Sequence, residues 1–254
     1  MKQLRGLMKK DWTIIKGYVL LALLLDIVIP LGAASLFPLE FYEGLLSFSG
    51  TIMALHTLLP IVLLSILFTK EMDHPDIFFH STASIHKINA SKLGTALIGT
   101  VLSLVWISSL TFVFMLFVPD LFNMKDLFPF GASFVVGILF ISVVVSIIYY
   151  FFLTMVYTMK PKIGGFAYIV AFGLFIFGLE MWSRFTATSL YSAITDFWVI
   201  ELNDSELLTS LSYGLMISFG TPPTLHIGEM LITVLLLIIL YMLSAIWFEK
   251  KVRA

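Results

Sequence analysis

The residues able to do chemistry are few, and most of them sit where water is scarce. Asp26 lies in the middle of an apolar run, and His56 lies inside the next one. Glu180 and Arg184 stand near the end of a later run. Ionisable groups at membrane depth are default candidates for a translocation path or a proton relay. Asp26 either faces a polar path or pairs with His56 if their helix faces meet. The plain alternative is a buried carboxyl kept uncharged by a neighbour's hydroxyl. Glu180 and Arg184 are four apart, so they can pair on one helix face. The five histidines are His56, His74, His80, His86 and His226. His74, His80 and His86 fall at intervals of six, which does not align them on a helix face, so no metal site is expected.

Several enzyme classes are excluded. Cysteine is absent, which removes disulfides, thiolate metal sites and Cys nucleophiles. No Gly-Lys dipeptide occurs, so there is no Walker A phosphate loop. HExxH and GxSxG are also missing. The Glu-x-x-x-Arg spacing of Glu180 and Arg184 is found in intramembrane CAAX-type proteases, but their motif has two adjacent glutamates. Leu179 fills the first place here, and no histidine follows a phenylalanine by four. The expected chain is therefore not an enzyme, and it carries no cofactor of its own.

The elements that must position these groups are membrane helices. The chain has 254 residues, 59% of them hydrophobic and 12% charged, with mean hydropathy +1.02. A soluble domain of this size carries about twice that charged share, and one globule could not hide so much apolar surface. A membrane helix needs ~20 mostly apolar residues. Six such spans are read: Ile14 to Leu36, Leu46 to Thr69, Leu93 to Val118, Gly131 to Met159, Ile163 to Ser183 and Met230 to Phe248. The runs are continuous rather than alternating, which argues against a β-barrel. The expected fold is an all-α membrane protein of six transmembrane helices in a single domain, 1–254.

Charge sets the expected orientation. Thirteen of the fifteen Lys and Arg residues precede or open span one, follow span six or lie between spans two and three or four and five. Only Lys125 and Arg184 fall on the opposite side, which holds Glu40, Glu43, Asp120, Asp126, Asp196, Glu201, Asp204 and Glu206. The positive-inside rule puts the basic side and both termini in the cytoplasm.

Three stretches lie outside the spans. Residues Met1 to Trp12 read as a short amphipathic helix, with Leu4, Leu7, Met8 and Trp12 on one face and Lys2, Arg5 and Lys9 on the other. Such a helix lies flat at the membrane surface as an anchor, or serves as an elbow helix touching a partner. The loop from Lys70 to Lys92 carries Glu71, Asp73 and Asp76 before a short helix expected near Pro75. The external stretch from Arg184 to His226 reads as two short amphipathic helices. Leu190, Ile194, Phe197, Trp198 and Glu201 mark the first. Leu207, Leu208, Leu211, Leu215 and Phe219 mark the second, and Thr221-Pro222-Pro223 ends it.

This layout resembles the permease subunit of an ABC transporter of the ABC-2 (exporter) type. The resemblance spans the whole chain as architecture. Its most specific part is Phe68 to Gly94, with Glu71 just after span two, FFHSTASIHKINASKLG following, and Ile88-Asn89-Ala90-Ser91-Lys92-Leu93 opening span three. The Phe-His-Ser-x-x-Ser-Ile-His stretch is similar to small Gram-positive permeases, including exporters of amphipathic peptides. The resemblance implies a cytoplasmic coupling helix in the Lys70–Lys92 loop and docking on it by separate ATPase subunits, which supply ATP and Mg. It also implies pairing with a second permease copy or paralogue, and a bacterial plasma membrane. Docking would fall to Asp76, Ile77, Phe78, Phe79, His80, Ile85, His86 and Lys87, with Glu71 orienting the loop. Apolar anchors within a polar rim suit such an interface.

Two other functions fit the composition. One is a self-protection or sensing protein that binds a membrane-active peptide. The other is an ion-coupled secondary transporter in which Asp26 or Glu180 carries a proton; no internal repeat between 1–125 and 126–254 supports it. No nucleic-acid partner is expected.

Overall fold

The computed structural model describes residues 2–37, 40–72, 83–117, 124–195, 199–201 and 224–252. Among them are eight helices and one two-stranded ribbon. In chain order the helices are α1 (Lys2–Leu36), α2 (Phe41–Leu55), α3 (Leu59–Met72), α4 (Ile85–Met115) and α5 (Met124–Ile163). They continue with α6 (Phe166–Thr186), α7 (Ser189–Thr195) and α8 (Ile227–Val252). Strands β1 (Val199–Glu201) and β2 (Thr224–His226) pair antiparallel, with Ile200 opposite Leu225.

Among the described residues five helices are long and apolar enough to cross a membrane, and six spans result if α2 and α3 count as one. Their outward faces are greasy. Leu20, Ile169 and Phe172 are each about two-thirds exposed, an arrangement that water penalises and lipid does not. The chain is a multi-pass membrane protein.

Three sequence expectations need correction. The N-terminal amphipathic segment is not a separate elbow, because α1 runs unbroken from Lys2 into the first span. No glycine or proline interrupts residues 7–16, and the apolar stripe continues through Ile15 and Val19, both buried. The helix that carries span three extends upstream of Leu93. Helix α4 starts at Ile85, with the Ser84 carbonyl accepting from the Lys87 and Ile88 amides. The amphipathic helix expected through Glu201 stops at Thr195, and Glu201 sits in β1 instead. The β-branched pair Val199 and Ile200 suits an extended backbone better than a helix. The second external helix, over Leu207 to Phe219, lies outside the described residues.

Span two is broken. Helices α2 and α3 meet at a 45° bend. The cause is Pro60, which lacks the N–H that would bond the His56 carbonyl four residues back. That carbonyl accepts instead from the Leu59 amide at 3.2 Å. The turn over 56–58 tightens into i→i+3 bonds from Thr57 to Ala54 and from Leu58 to Leu55.

The contacts divide into two compact units. The first contains α1 to α3, α4 from Ala90 and α5 as far as Val145. Helix α1 packs on α2 and α3. One core cluster joins Met53, Leu104, Ile107 and Ile138, with Ile52, Leu110 and Phe134 against it. At Gly99 the helices approach closely. A Cβ built there would lie 2.9 Å from Leu63 Cδ1, 3.0 Å from Val19 Cγ2 and 3.6 Å from Ile15 Cδ1. Small residues allow such approach between membrane helices. Gly99→Ala is expected to cost about 1–2 kcal/mol through overpacking, read as a lowered unfolding midpoint in detergent micelles; an unchanged midpoint would show that the contact yields freely.

The second unit contains the first turn of α4, α5 from Ser146, and α6 to α8 with the ribbon. Helices α5 and α6 join through Gly164, whose φ of 58° needs glycine. Its amide closes α5 by bonding the Lys160 carbonyl at 2.9 Å. Val156, Ala167 and Ala171 pack at this hairpin with Phe152 and Met159. Helix α7 packs on α8 and α6. Tyr191 of α7 clusters with the rings of Trp182 and Phe185, and its hydroxyl donates to Glu229 Oε1 at 3.4 Å. Burial, together with that carboxylate, raises the Tyr191 phenol above its ordinary range.

Candidate functional site

The first polar cluster lies inside the span region of the first unit. The buried face of α1 carries Asp11, Ile15, Val19, Asp26, Pro30 and Ala34, a stripe with the 3–4 residue spacing of one helix face. Asp26 is ten residues beyond the exposed Lys16, about 15 Å along the helix and half the ~30 Å hydrocarbon thickness. Its side chain is 4% exposed and lies 3.5 Å from His56 Nε2, itself on a side chain 5% exposed. The two faces therefore meet, and a third residue joins them. Ser103 of α4, fully buried, donates to Asp26 Oδ2 at 2.8 Å and sits 2.9 Å from His56 Nε2. His56 Nδ1 is 2.8 Å from the Ile52 carbonyl.

Backbone groups converge on the same place. Pro60 offers no amide to the His56 carbonyl, which accepts from the Leu59 amide and, at 3.5 Å, from the Ser142 hydroxyl of α5. Pro30 stands four residues after Asp26, so it likewise offers no amide to the Asp26 carbonyl. Trp106 Nε1 donates to the Leu23 carbonyl at 3.1 Å one turn away.

The second cluster lies at the lysine-rich end of the same unit. Lys92 of α4, on a side chain 1% exposed, is 2.7 Å from Glu71 Oε2 and 3.6 Å from Asp11 Oδ1. Lys10 pairs with Glu71 Oε1, and the Ser91 hydroxyl donates to Asp11 Oδ2. The Lys92 ammonium also stands over the Phe68 ring, 5.3 Å from its centroid. Two carboxylates and two ammoniums balance. Burying them without each other would cost several kcal/mol per ion.

The remaining predicted residues fall as follows. Glu71, expected to orient a loop, sits on the last turn of α3 in this ionic node. Ile85 is buried, while His86 and Lys87 are exposed on the first turn of α4. The His86 ring lies 6.1 Å from that of Tyr241. Asp76, Ile77, Phe78, Phe79 and His80 lie outside the described residues. Glu180 and Arg184 do pair, at 2.8 Å, but both are more than half exposed. They form an i,i+4 surface pair of α6. Among the described residues no group of three or more His, Asp or Glu side chains could hold a metal ion.

Sequence reading missed Asp11, Lys92, Ser91 and Ser103. Asp11 had a signal, since it lies on the apolar stripe of Leu4, Leu7 and Met8, where a carboxylate must find a partner. Lys92 had none, because it reads as one more loop lysine. Comparison with family models, with curated proteins and with solved structures finds no match.

Proposed function

We propose that this chain is the membrane-spanning subunit of an ATP-driven exporter of the ABC-2 type. It moves an amphipathic peptide, lipid-like or drug-like cargo out of a bacterial cell. Lysine bias places both termini and the segment 73–82 in the cytoplasm. Separate ATPase subunits dock on that segment and bring the ATP and Mg that a chain without a phosphate loop must borrow. A second permease copy or paralogue completes the path.

One observation supports this reading above the others. Glu71 and Lys92, which flank the segment, are paired at 2.7 Å, and both connect to α1 through Lys10 and Asp11. The two ends of the segment are thus clamped to each other and to the first span. A displacement of docked ATPases would pass into three helices at once rather than dissipate in a slack loop. Docking falls to Asp76, Ile77, Phe78, Phe79, His80, Ile85, His86 and Lys87, a mixture of apolar and polar residues that suits such an interface.

The test is functional. Replacing Phe78 and Phe79 together by Ala should lower cargo-stimulated ATP hydrolysis at least tenfold in a reconstituted complex, while the chain still inserts in the membrane. Undiminished stimulation, or failure of the chain to co-purify with any ATPase subunit, would remove the proposal.

A further inference from the structure

We propose that Asp26, Ser103 and His56 form a proton-binding site at membrane depth, which holds one proton that the Ser103 hydroxyl passes between carboxyl and imidazole. The inference does not depend on the transport reading. It rests on counting hydrogens along a chain of four fixed partners.

The count starts at the His56 ring. Nδ1 lies 2.8 Å from the Ile52 carbonyl oxygen. A carbonyl can only accept, so Nδ1 carries a hydrogen. Nε2 lies 2.9 Å from Ser103 Oγ, and that oxygen lies 2.8 Å from Asp26 Oδ2. The hydroxyl has one hydrogen to give. If it points to Asp26, Nε2 must donate to Oγ, and the site is an imidazolium facing a carboxylate. If it points to His56, the carboxyl must donate to Oγ, and the site is a carboxylic acid beside a neutral imidazole. Every contact is satisfied in both arrangements.

Both arrangements hold one proton more than a carboxylate with a neutral imidazole. Remove that proton, and Asp26 Oδ2 and His56 Nε2 compete for one hydroxyl hydrogen. One acceptor is left unsatisfied beside an unbalanced carboxylate in a buried site, which is costly on both counts. Add a second, and Oγ receives from both sides while its own hydrogen has no acceptor in the chain. Occupancy by one proton is the state this geometry fits.

Exchange between the two filled states needs no other reactant. The Asp26 Oδ2–H bond breaks as an Oγ–H bond forms, and the original Oγ–H bond breaks as Nε2–H forms. The net change is one proton moved from carboxyl to imidazole. The position of the site gives the exchange a mechanical side. His56 occupies the 45° bend between α2 and α3, so the Nε2–Ser103 distance is tied to the geometry of that bend.

The test uses the full chain in lipid nanodiscs at neutral pH. Nitrogen-15 histidine NMR, with His56→Gln to assign the signal, counts the ring N–H groups. Infrared spectroscopy looks for a protonated carboxyl band that Asp26→Asn removes. One proton is expected in total. Either both ring nitrogens carry hydrogen and no Asp26 carboxyl band exists, or Nδ1 alone carries hydrogen and the band is present. A neutral ring without the band, or a doubly protonated ring with it, would overturn the site. Ser103→Ala should shift both signals, and if Asp26→Asn does not accumulate, that shift assigns the carboxyl band. Signals unmoved by Ser103→Ala would remove the serine from the relay.

Discussion

Lys92→Met is expected to cost about 3–5 kcal/mol, because it strands two carboxylates in a buried site. Asp11 and Lys92 are almost fully enclosed, and Glu71 keeps only 9% of its side chain exposed. Lys10 can neutralise one carboxylate but not both, and it is half exposed. Methionine restores the bulk of the lysine stem against Phe68, so lost packing contributes little and lost charge dominates. The measurement is the unfolding midpoint in detergent micelles, with membrane accumulation as a second readout. A control separates charge from position. The triple change Asp11→Asn, Glu71→Gln, Lys92→Met removes the unpaired charges together and should recover most of the loss, as replacement of whole buried ion pairs commonly does. If the triple variant is no better than the single one, the node acts through shape and the electrostatic account fails.

Gly228→Ala should be more damaging than Gly99→Ala. A Cβ there would lie 2.4 Å from the Thr195 carbonyl oxygen and 2.7 Å from Thr195 Cα. These are backbone atoms, so no side-chain rotation relieves the clash. Gly99 differs, because the atoms it meets are side-chain methyls that can shift by a few tenths of an ångström. The expected cost at Gly228 is about 3 kcal/mol, the upper part of the range for overpacking. It should appear as separation of α7 from α8 and loss of the Tyr191–Glu229 contact. Tyr191 fluorescence in a variant lacking nearby tryptophans, or protease nicking within 187–198, would report it. Unchanged proteolysis and an unchanged midpoint would show that the α7–α8 approach is looser than drawn.

The two clusters differ in what they ask of the chain. The ionic node joins three helix segments by charges that need no rearrangement, and it behaves as a clamp. The Asp26–Ser103–His56 chain joins α1 and α4 to the turn between α2 and α3 by hydrogens that have two satisfied placements. It lies at a bend, and the prolines Pro30 and Pro60 each remove the amide that would have bonded the carbonyl of a site residue.

How much of this was legible in the sequence depends on the range of the physics involved. The spans were legible, because burial in lipid is a sum over ~20 consecutive residues. Asp26 and His56 stood out for the same reason, as exceptions to that sum. The bend at His56 was also within reach, since a proline four residues on is a local covalent fact. What sequence alone determined is thus the membrane architecture, the asymmetry of its lysines and the identity of the two titratable groups inside it. The tertiary structure decided the rest. It made Lys92 a buried counter-ion rather than a loop charge, placed Ser103 between Asp26 and His56, ran α1 through its expected joint and turned Glu201 into a strand. Lys92 pairs with Glu71 and Asp11, 21 and 81 positions away, Ser103 with Asp26, 77 away, and Glu201 with Thr224, 23 away, and hydropathy, periodicity and charge bias carry no term for such partners.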